Sequence, residues 1–319
     1  MIEVEGLTRY YGNFAAVQDA SFSIGAKEIV GFLGLNGAGK STILKVLAGL
    51  LMPSAGAVKV GGIDAVESPD ALRTKIGFLP EEPPLYREMR VAEFLRWVGQ
   101  AKGRSRREVY ADLPKVIDLC DLGSMAHKVI AELSHGYRKR VGIAQAIIHR
   151  PEVVILDEPI SGLDPQQIVE MRKVVRSLKE EATVLISSHI LSEVAQTCDR
   201  VLVVHKGRIV AEGSEDELKS ALGQGDTVTL TLRGEHGAVK EVLEASEAAA
   251  SFEVRDDAEM LSVDVELAEG DRQREALVAD LVAAKVGVFG VANTVSELEQ
   301  VFLRLTKGDD VAPAQEDAS

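Results

Sequence analysis

Residues Gly34-Leu35-Asn36-Gly37-Ala38-Gly39-Lys40-Ser41-Thr42 fit the pattern G-x-x-x-x-G-K-[ST] of a phosphate-binding loop. Each position has a physical reason. The glycines let the backbone turn its N–H groups inward around an anion. A helix that follows the loop adds its positive N-terminal end. Lys40 brings a mobile cation to the β- and γ-phosphates of a nucleotide, and the Ser41 hydroxyl is a ligand for Mg²⁺. A second cluster stands at Asp157-Glu158, directly after the apolar run Val153–Leu156. An Asp at the end of a strand can orient Mg²⁺ and its waters, and the Glu beside it can act as general base on an attacking water. Acids at strand ends are usually just solvated. The phosphate loop upstream gives this pair its weight.

Three further features converge on an anion. LSHGYRKR (Leu133–Arg140) opens a helix, where Ser134 and the Gly136 amide can bind an anion through hydroxyl, N–H and helix dipole. SGLDP (Ser161–Pro165) follows the acidic pair. His189 follows the apolar strand Val184–Ser187, where a neutral imidazole can donate to a terminal phosphate. The basic run Arg138-Lys139-Arg140 and the residues Arg104, Arg106 and Arg107 read more simply, as solvated helix surface, with a membrane-facing or partner-facing role as the alternative.

The elements that carry these groups alternate. Ile2–Leu7 and Ala20–Ile24 read as strands around a turn at Gly12-Asn13. Ile29–Leu33 is a buried strand that runs into the phosphate loop, and ILKVLAGL after the loop has helical spacing. Val58–Val60 and Ile76–Leu79 are further strands, and residues 85–148 are mainly helical. A helix is expected at Gln166–Glu181, a buried strand at Thr183–Ser187 and a helix at Leu191–Thr197. Val201–Val204 and Arg208–Ala211 form a hairpin around Lys206-Gly207. Buried strands alternating with helices predict an α/β domain with a parallel sheet over residues 1–220.

Past Gly223-Gln224-Gly225 the pattern changes. Strands at Thr227–Leu232, Ser251–Val254, Leu261–Glu266 and Gly287–Ala292 interleave with helices at Gly237–Ala245 and Asp271–Ala284. This β-α-β-β-α-β order predicts a small ferredoxin-like α+β domain over residues 226–306, with a last helix at Val295–Leu305. Residues 307–319 are polar and aperiodic, a disordered acidic tail.

Composition narrows the function classes. The chain has 319 residues, 46% of them hydrophobic, enough for about two domain cores. No apolar run reaches the ~18 residues of a membrane span, and the N-terminus does not read as a secretory signal. Two cysteines, Cys120 and Cys198, suggest a reducing compartment. Residues 1–220 hold 29 acids and 28 bases, while residues 221–319 hold 21 acids and 8 bases. Nearly all of the net charge of −14 therefore belongs to the last third. No broad basic face is available for nucleic acid.

With its motifs in this order, the chain resembles the nucleotide-binding subunit of an ABC transporter. The resemblance covers residues 1–220: phosphate loop, Glu81 loop, signature, acidic strand, SGLD loop and histidine. It implies a P-loop NTPase domain of the ABC ATPase type, with a helical subdomain at about residues 85–148. It also implies a head-to-tail dimer, of this chain with itself or with a related subunit, around two ATP molecules. Each ATP would touch Gly34, Asn36, Gly37, Ala38, Gly39, Lys40, Ser41 and Thr42 of one subunit and Ser134 and Gly136 of the other. Tyr11 matches the aromatic that stacks on adenine, with Tyr10 as its rival. Ser41, Asp157 and Glu81 would hold Mg²⁺, Glu158 would be the base, and Lys40 and His189 would stabilise charge. Asp164 would couple the two sites. The partner would be an integral-membrane permease docked on Glu81–Gly99, at the cytoplasmic face of the membrane.

Several residues depart from the family pattern. Glu81 stands where Gln is usual, and a carboxylate can bind metal but cannot donate a hydrogen bond. The signature reads LSHGY in place of LSGGQ, and Ile160 replaces Thr. LPEEPPLY, LSHGY and SELEQVFLRLT (Ser296–Thr306) resemble the type-2 exporter branch. The rival readings are a soluble ABC ATPase acting on ribosomes or DNA, and a regulatory ATPase adaptor. The single motif set and the lack of long heptads weigh against the ribosome and DNA forms.

Overall fold

The structure is a computed structural model that describes residues 1–214, 217–218, 227–257, 260–267 and 270–293. The helix expected at Val295–Leu305 and the tail expected at residues 307–319 lie outside the described residues. The chain divides into two compact units, Met1–Ser214 and Glu215–Ser319.

The first unit opens with β1 (Ile2–Tyr11) and β2 (Phe14–Ile24), followed by β3 (Ile29–Leu33) and α1 (Lys40–Leu47). Then come β4 (Ala55–Val60), β5 (Ile63–Asp64), α2 (Pro69–Lys75) and β6 (Ile76–Leu79). The helical region holds α3 (Val91–Ala101), α4 (Arg106–Leu119) and α5 (His135–Ile147). The unit continues through β7 (Val153–Asp157), α6 (Pro165–Leu178), β8 (Thr183–Ser188) and α7 (Leu191–Thr197). It closes with β9 (Arg200–His205) and β10 (Arg208–Gly213).

Two sheets result. One is antiparallel in the order β2-β1-β4-β5. Strand β2 starts six residues before its expected alternation, because Tyr11 pairs with Phe14 directly across the Gly12-Asn13 turn. The other sheet has the order β10-β9-β3-β8-β7-β6 and is parallel except for β10. Every residue of β3, β7 and β8 is buried, which is why these strands read as unbroken apolar runs.

One core, including Phe32, Leu44, Leu47 and Val58, joins the antiparallel sheet, α1 and the parallel sheet. A second core contains residues of the parallel sheet and of α3 to α6. Helix α3 contributes Val91, Phe94, Leu95 and Val98, the i, i+3, i+4, i+7 stripe of an amphipathic helix. Helix α5 lies so close to β6 that a Cβ on Gly77 would fall 1.9 Å from the Ala146 carbonyl. Helix α4 opens on a capping box between Ser105 and Glu108.

The second unit runs β11 (Thr227–Arg233), α8 (His236–Ala245), β12 (Ala249–Asp257), β13 (Met260–Leu267), α9 (Gly270–Ala283) and β14 (Gly287–Asn293). Its antiparallel sheet has the order β12-β13-β11-β14, the ferredoxin-like arrangement. Its core is aliphatic: Val228, Leu230, Val239, Leu243, Val263 and Leu277 are among its buried residues. No described helix of the chain is long and apolar enough to cross a membrane.

Candidate functional site

Three parallel strands deliver their C-terminal ends to one place, where open α/β sheets bind ligands. β3 leads into the phosphate loop, β7 ends at Asp157 and β8 ends at Ser188. Gly39 caps α1 with φ 109°, and a Cβ there would meet the Ala16 carbonyl at 2.5 Å. Only glycine suits that turn. Lys40, the first residue of α1, is 5% exposed. Its Nζ donates to the Gly34 carbonyl at 2.7 Å and the Leu35 carbonyl at 3.3 Å, and lies 3.6 Å from Glu158 Oε1. Burial pulls Lys40 below the ordinary lysine value, while the carboxylates of Glu158, Asp157 and Glu81 pull it back up.

Asp157 is buried and held from two sides. Ser41 Oγ donates to its Oδ1 at 2.9 Å, and Ser187 Oγ donates to the same oxygen at 2.6 Å. The Ser41 hydroxyl and the Asp157 carboxylate are hard oxygen donors side by side at the end of the phosphate loop. That set fits Mg²⁺, which takes one or two protein oxygens and completes its shell with phosphates and water.

Glu158 has φ 48°, a left-handed conformation that costs a β-carbon residue roughly 1–2 kcal/mol. Its N–H donates to Ser187 Oγ at 2.9 Å, and its carbonyl accepts from Lys139 Nζ at 3.0 Å. These bonds hold the strained residue from both ends. On its side chain, Oε2 sits within hydrogen-bond distance of His189 Nδ1, at 3.0 Å. Oε1 is buried with no hydrogen-bond partner.

Around these groups lies a cleft of about 550 Å³. Asn36, Gly37, Ala38, Gly39, Lys40, Ser41 and Thr42 line its floor, with Glu158 and His189 beside them. Glu81 and Ser161 also line it. Tyr11 and Phe14, the facing pair at the β1–β2 tip, complete the wall, and Tyr10 does not line the cleft. Tyr11 is 45% and Phe14 64% exposed, and the Arg9 guanidinium lies over the Tyr11 ring, 5.1 Å from its centroid. Gly34 sits below the floor, where its carbonyl holds Lys40.

Ser134, Gly136 and Asp164 are not in this cleft. Ser134 caps α5, accepting from the Tyr137 N–H at 3.4 Å. Gly136 lies under the Gln167 side chain, which a Cβ would strike at 2.6 Å. Asp164 caps α6, accepting from the Gln167 N–H at 2.9 Å. His135 Nε2 reaches to 3.3 Å from the Ser161 carbonyl, which ties the LSHGY turn to the SGLD loop.

The basic run after the signature corrects the sequence reading. Lys139 is 1% and Arg140 4% exposed, so neither merely solvates the helix. Arg140 pairs with Asp121 and Glu170, and Lys139 donates to the carbonyls of Glu81 and Glu158. The sequence reading also passed over Phe14 and Ser187. Phe14 is a large apolar residue right after a turn, and Ser187 is a hydroxyl inside an apolar strand. Both were visible as misfits.

A phosphate loop, a buried acid pair and a histidine at the ends of a parallel sheet define a nucleotide-triphosphate-hydrolysing α/β domain. The family model described as ABC transporter matches residues 17–161. An uncharacterized ABC transporter ATP-binding protein of Bacillus subtilis, YxlF, is 38% identical over 244 residues, 76% of this chain and 78% of that one. A daunorubicin resistance ATP-binding protein of Streptomyces coeruleorubidus, DrrA3, is 35% identical over 97% of this chain and 96% of its own. A solved ATP-binding subunit of an ABC transporter is 33% identical with TM-score 0.63, covering 70% of this chain and 93% of that one. The chain belongs to the ATP-binding subunits of ABC transporters, and it is an ATPase.

Proposed function

We propose that this chain is the motor of an exporter. It dimerises around two ATP molecules and drives a separate integral-membrane permease from the cytoplasmic face of the membrane. The observation that carries the hydrolytic part is the Glu158 carboxylate. One oxygen is fixed by His189, and the other is buried, free of hydrogen bonds and 3.6 Å from the Lys40 ammonium. A carboxylate so held can take a proton from water beside a phosphate chain. Lys40 draws the terminal phosphates to the loop and balances charge as the bond breaks. His189, in the cleft lining, keeps the base oriented. Ser41 and Asp157, with Glu81 lining the same cleft, would hold Mg²⁺, which supplies charge neutralisation on the phosphates when bound. Tyr11 and Phe14 stack on the base.

The second half of each site comes from another copy. Ser134 and Gly136 sit outside the cleft at the start of α5, suited to close over a partner's ATP, and Asp164 stands at the neighbouring helix cap. A dimeric bacterial ABC transporter cassette, 25% identical with TM-score 0.60, supports this assembly. The permease reading draws on an apolar groove of about 440 Å³ lined by Leu50, Phe78, Pro80, Pro84 and His149. Exposed Tyr86 and Trp97 stand in the segment expected to receive it. Export draws on the relatives: one is a daunorubicin resistance protein, another a bacitracin transport protein of Bacillus licheniformis.

Purified Glu158→Gln should bind ATP, keep only a slow residual turnover and accumulate as an ATP-bound dimer in size-exclusion chromatography. Turnover at the wild-type rate would overturn the base assignment. Isolation of the chain from detergent-solubilised membranes should recover a multi-span permease. Recovery of ribosomes or DNA instead would remove the transport reading.

A further inference from the structure

Lys139 has an environment that its place in a basic run does not suggest. Its side chain is 1% exposed, and its ammonium donates to two carbonyls from different parts of the chain. One is Glu81, in the loop after β6, at 2.6 Å. The other is Glu158, at the end of β7, at 3.0 Å. Lys139 itself sits on α5, the helix capped by Ser134. Only a long, flexible stem ending in several donors can join three segments in this way. Glu81, Glu158, Asp157 and Glu82 lie close enough to supply the counter-charge that a buried ammonium requires.

We propose that Lys139 is a positioning residue for ATP hydrolysis: it holds the Glu158 backbone and the Glu81 loop in register with the signature helix. The inference rests on Glu158 being the general base. Glu158 needs such a hold, because its left-handed backbone is strained and its catalytic oxygen has no hydrogen bond of its own. When α5 shifts, the ammonium must shift with it or release one of the two carbonyls. The position of the signature is thereby linked to the position of the base. A misplacement of the base by about 1 Å costs up to about 100-fold in rate.

The test is a double-mutant cycle on the ATPase activity of the purified full chain, using Lys139→Met, Glu158→Gln and the pair. Lys139→Met should lower kcat by about 10- to 100-fold with KM for ATP within about 3-fold of wild type. In the Glu158→Gln background the same substitution should cost less than 2-fold (about 0.4 kcal/mol), because no base remains to be misplaced. Lys139→Gln, which keeps N–H donors on a shorter stem, should fall between Met and wild type, and it takes the place of Met if Met does not fold. A kcat within 2-fold of wild type would overturn the proposal. So would a rise in KM that accounts for the whole loss, or a loss that persists in full without Glu158. A Glu158→Gln chain that turns over normally would strike the base assignment itself, a result distinguishable from any of these.

Discussion

Buried in the first unit are Lys40, Asp112, Lys139, Arg140, His149, Asp157, Glu158, Thr183, Ser187, Ser188 and His205; among the described residues of the second, Ser246 is the one buried polar side chain. The second unit packs Val, Leu and Ala against one another, and none of the charged side chains among its described residues is buried. The first unit accepts the desolvation cost of burying charges: Lys40, Lys139, Asp157 and Glu158 border the cleft or hold what borders it, while Asp112 and Arg140 form ion pairs elsewhere. Two compact units of one chain thus follow different rules. Around the cleft, buried charge prepares chemistry, and where the interior is uniformly aliphatic, the side chains serve packing.

The contrast can be tested by substitution. Lys40→Ala removes the buried cation paired with the Glu158 carboxylate and should lower ATPase activity by on the order of 10²–10³-fold, measured as phosphate release, with ATP affinity also reduced. Unchanged nucleotide affinity would sink the phosphate-loop assignment.

A smaller effect concerns acid. His149 Nε2 lies 3.1 Å from the Ile76 carbonyl, and burial pushes this imidazole down to about 4 from its ordinary value of 6.5. Below pH 6.5 the unfolded chain takes up a proton that the folded chain refuses until about pH 4. Stability from this residue is therefore complete above pH 6.5, falls by about 3 kcal/mol as pH drops toward 4, and changes no further below that. Urea titrations of wild type and His149→Gln should differ in pH slope over that window. Parallel slopes would mean His149 titrates normally.

Smallest is the effect of Val263→Ala in the second unit, about 2 kcal/mol from lost burial and the cavity left behind. It should lower the melting transition of residues 227–293 while leaving ATP turnover unchanged. A turnover defect would show that the aliphatic unit contributes to the site.

The legible parts of the chain were those whose physics is local. The strand–loop–helix context of Lys40 and the apolar run before Asp157 span a few residues each, so spacing alone exposes them. The β-α-β-β-α-β order of the second unit is likewise a succession of short periodic patterns. Helix α2 was overlooked although Ser68-Pro69-Asp70 carries a helix start, because its seven residues bury a single side chain, Leu72. Lys139 and Arg140 were misread for a different reason. A basic run at a helix surface and one folded under two loops have the same sequence, and only the tertiary contacts with Glu81, Glu158, Asp121 and Glu170 separate them. Ser187 similarly gains its role from Asp157 and Glu158, some thirty residues away.

The hairpin tip formed by Tyr11 and Phe14 bears on nucleotide choice. Aromatic faces grip a base by stacking, and every base offers such a face. Discrimination between purines requires donors and acceptors aimed at the base edge, which Tyr11 and Phe14 do not supply through their rings. A base held by these two rings alone would be tolerated whatever its edge. GTP should be hydrolysed with a KM within a few-fold of that for ATP, and the fuel burned in a cell would be decided by which triphosphate is most abundant.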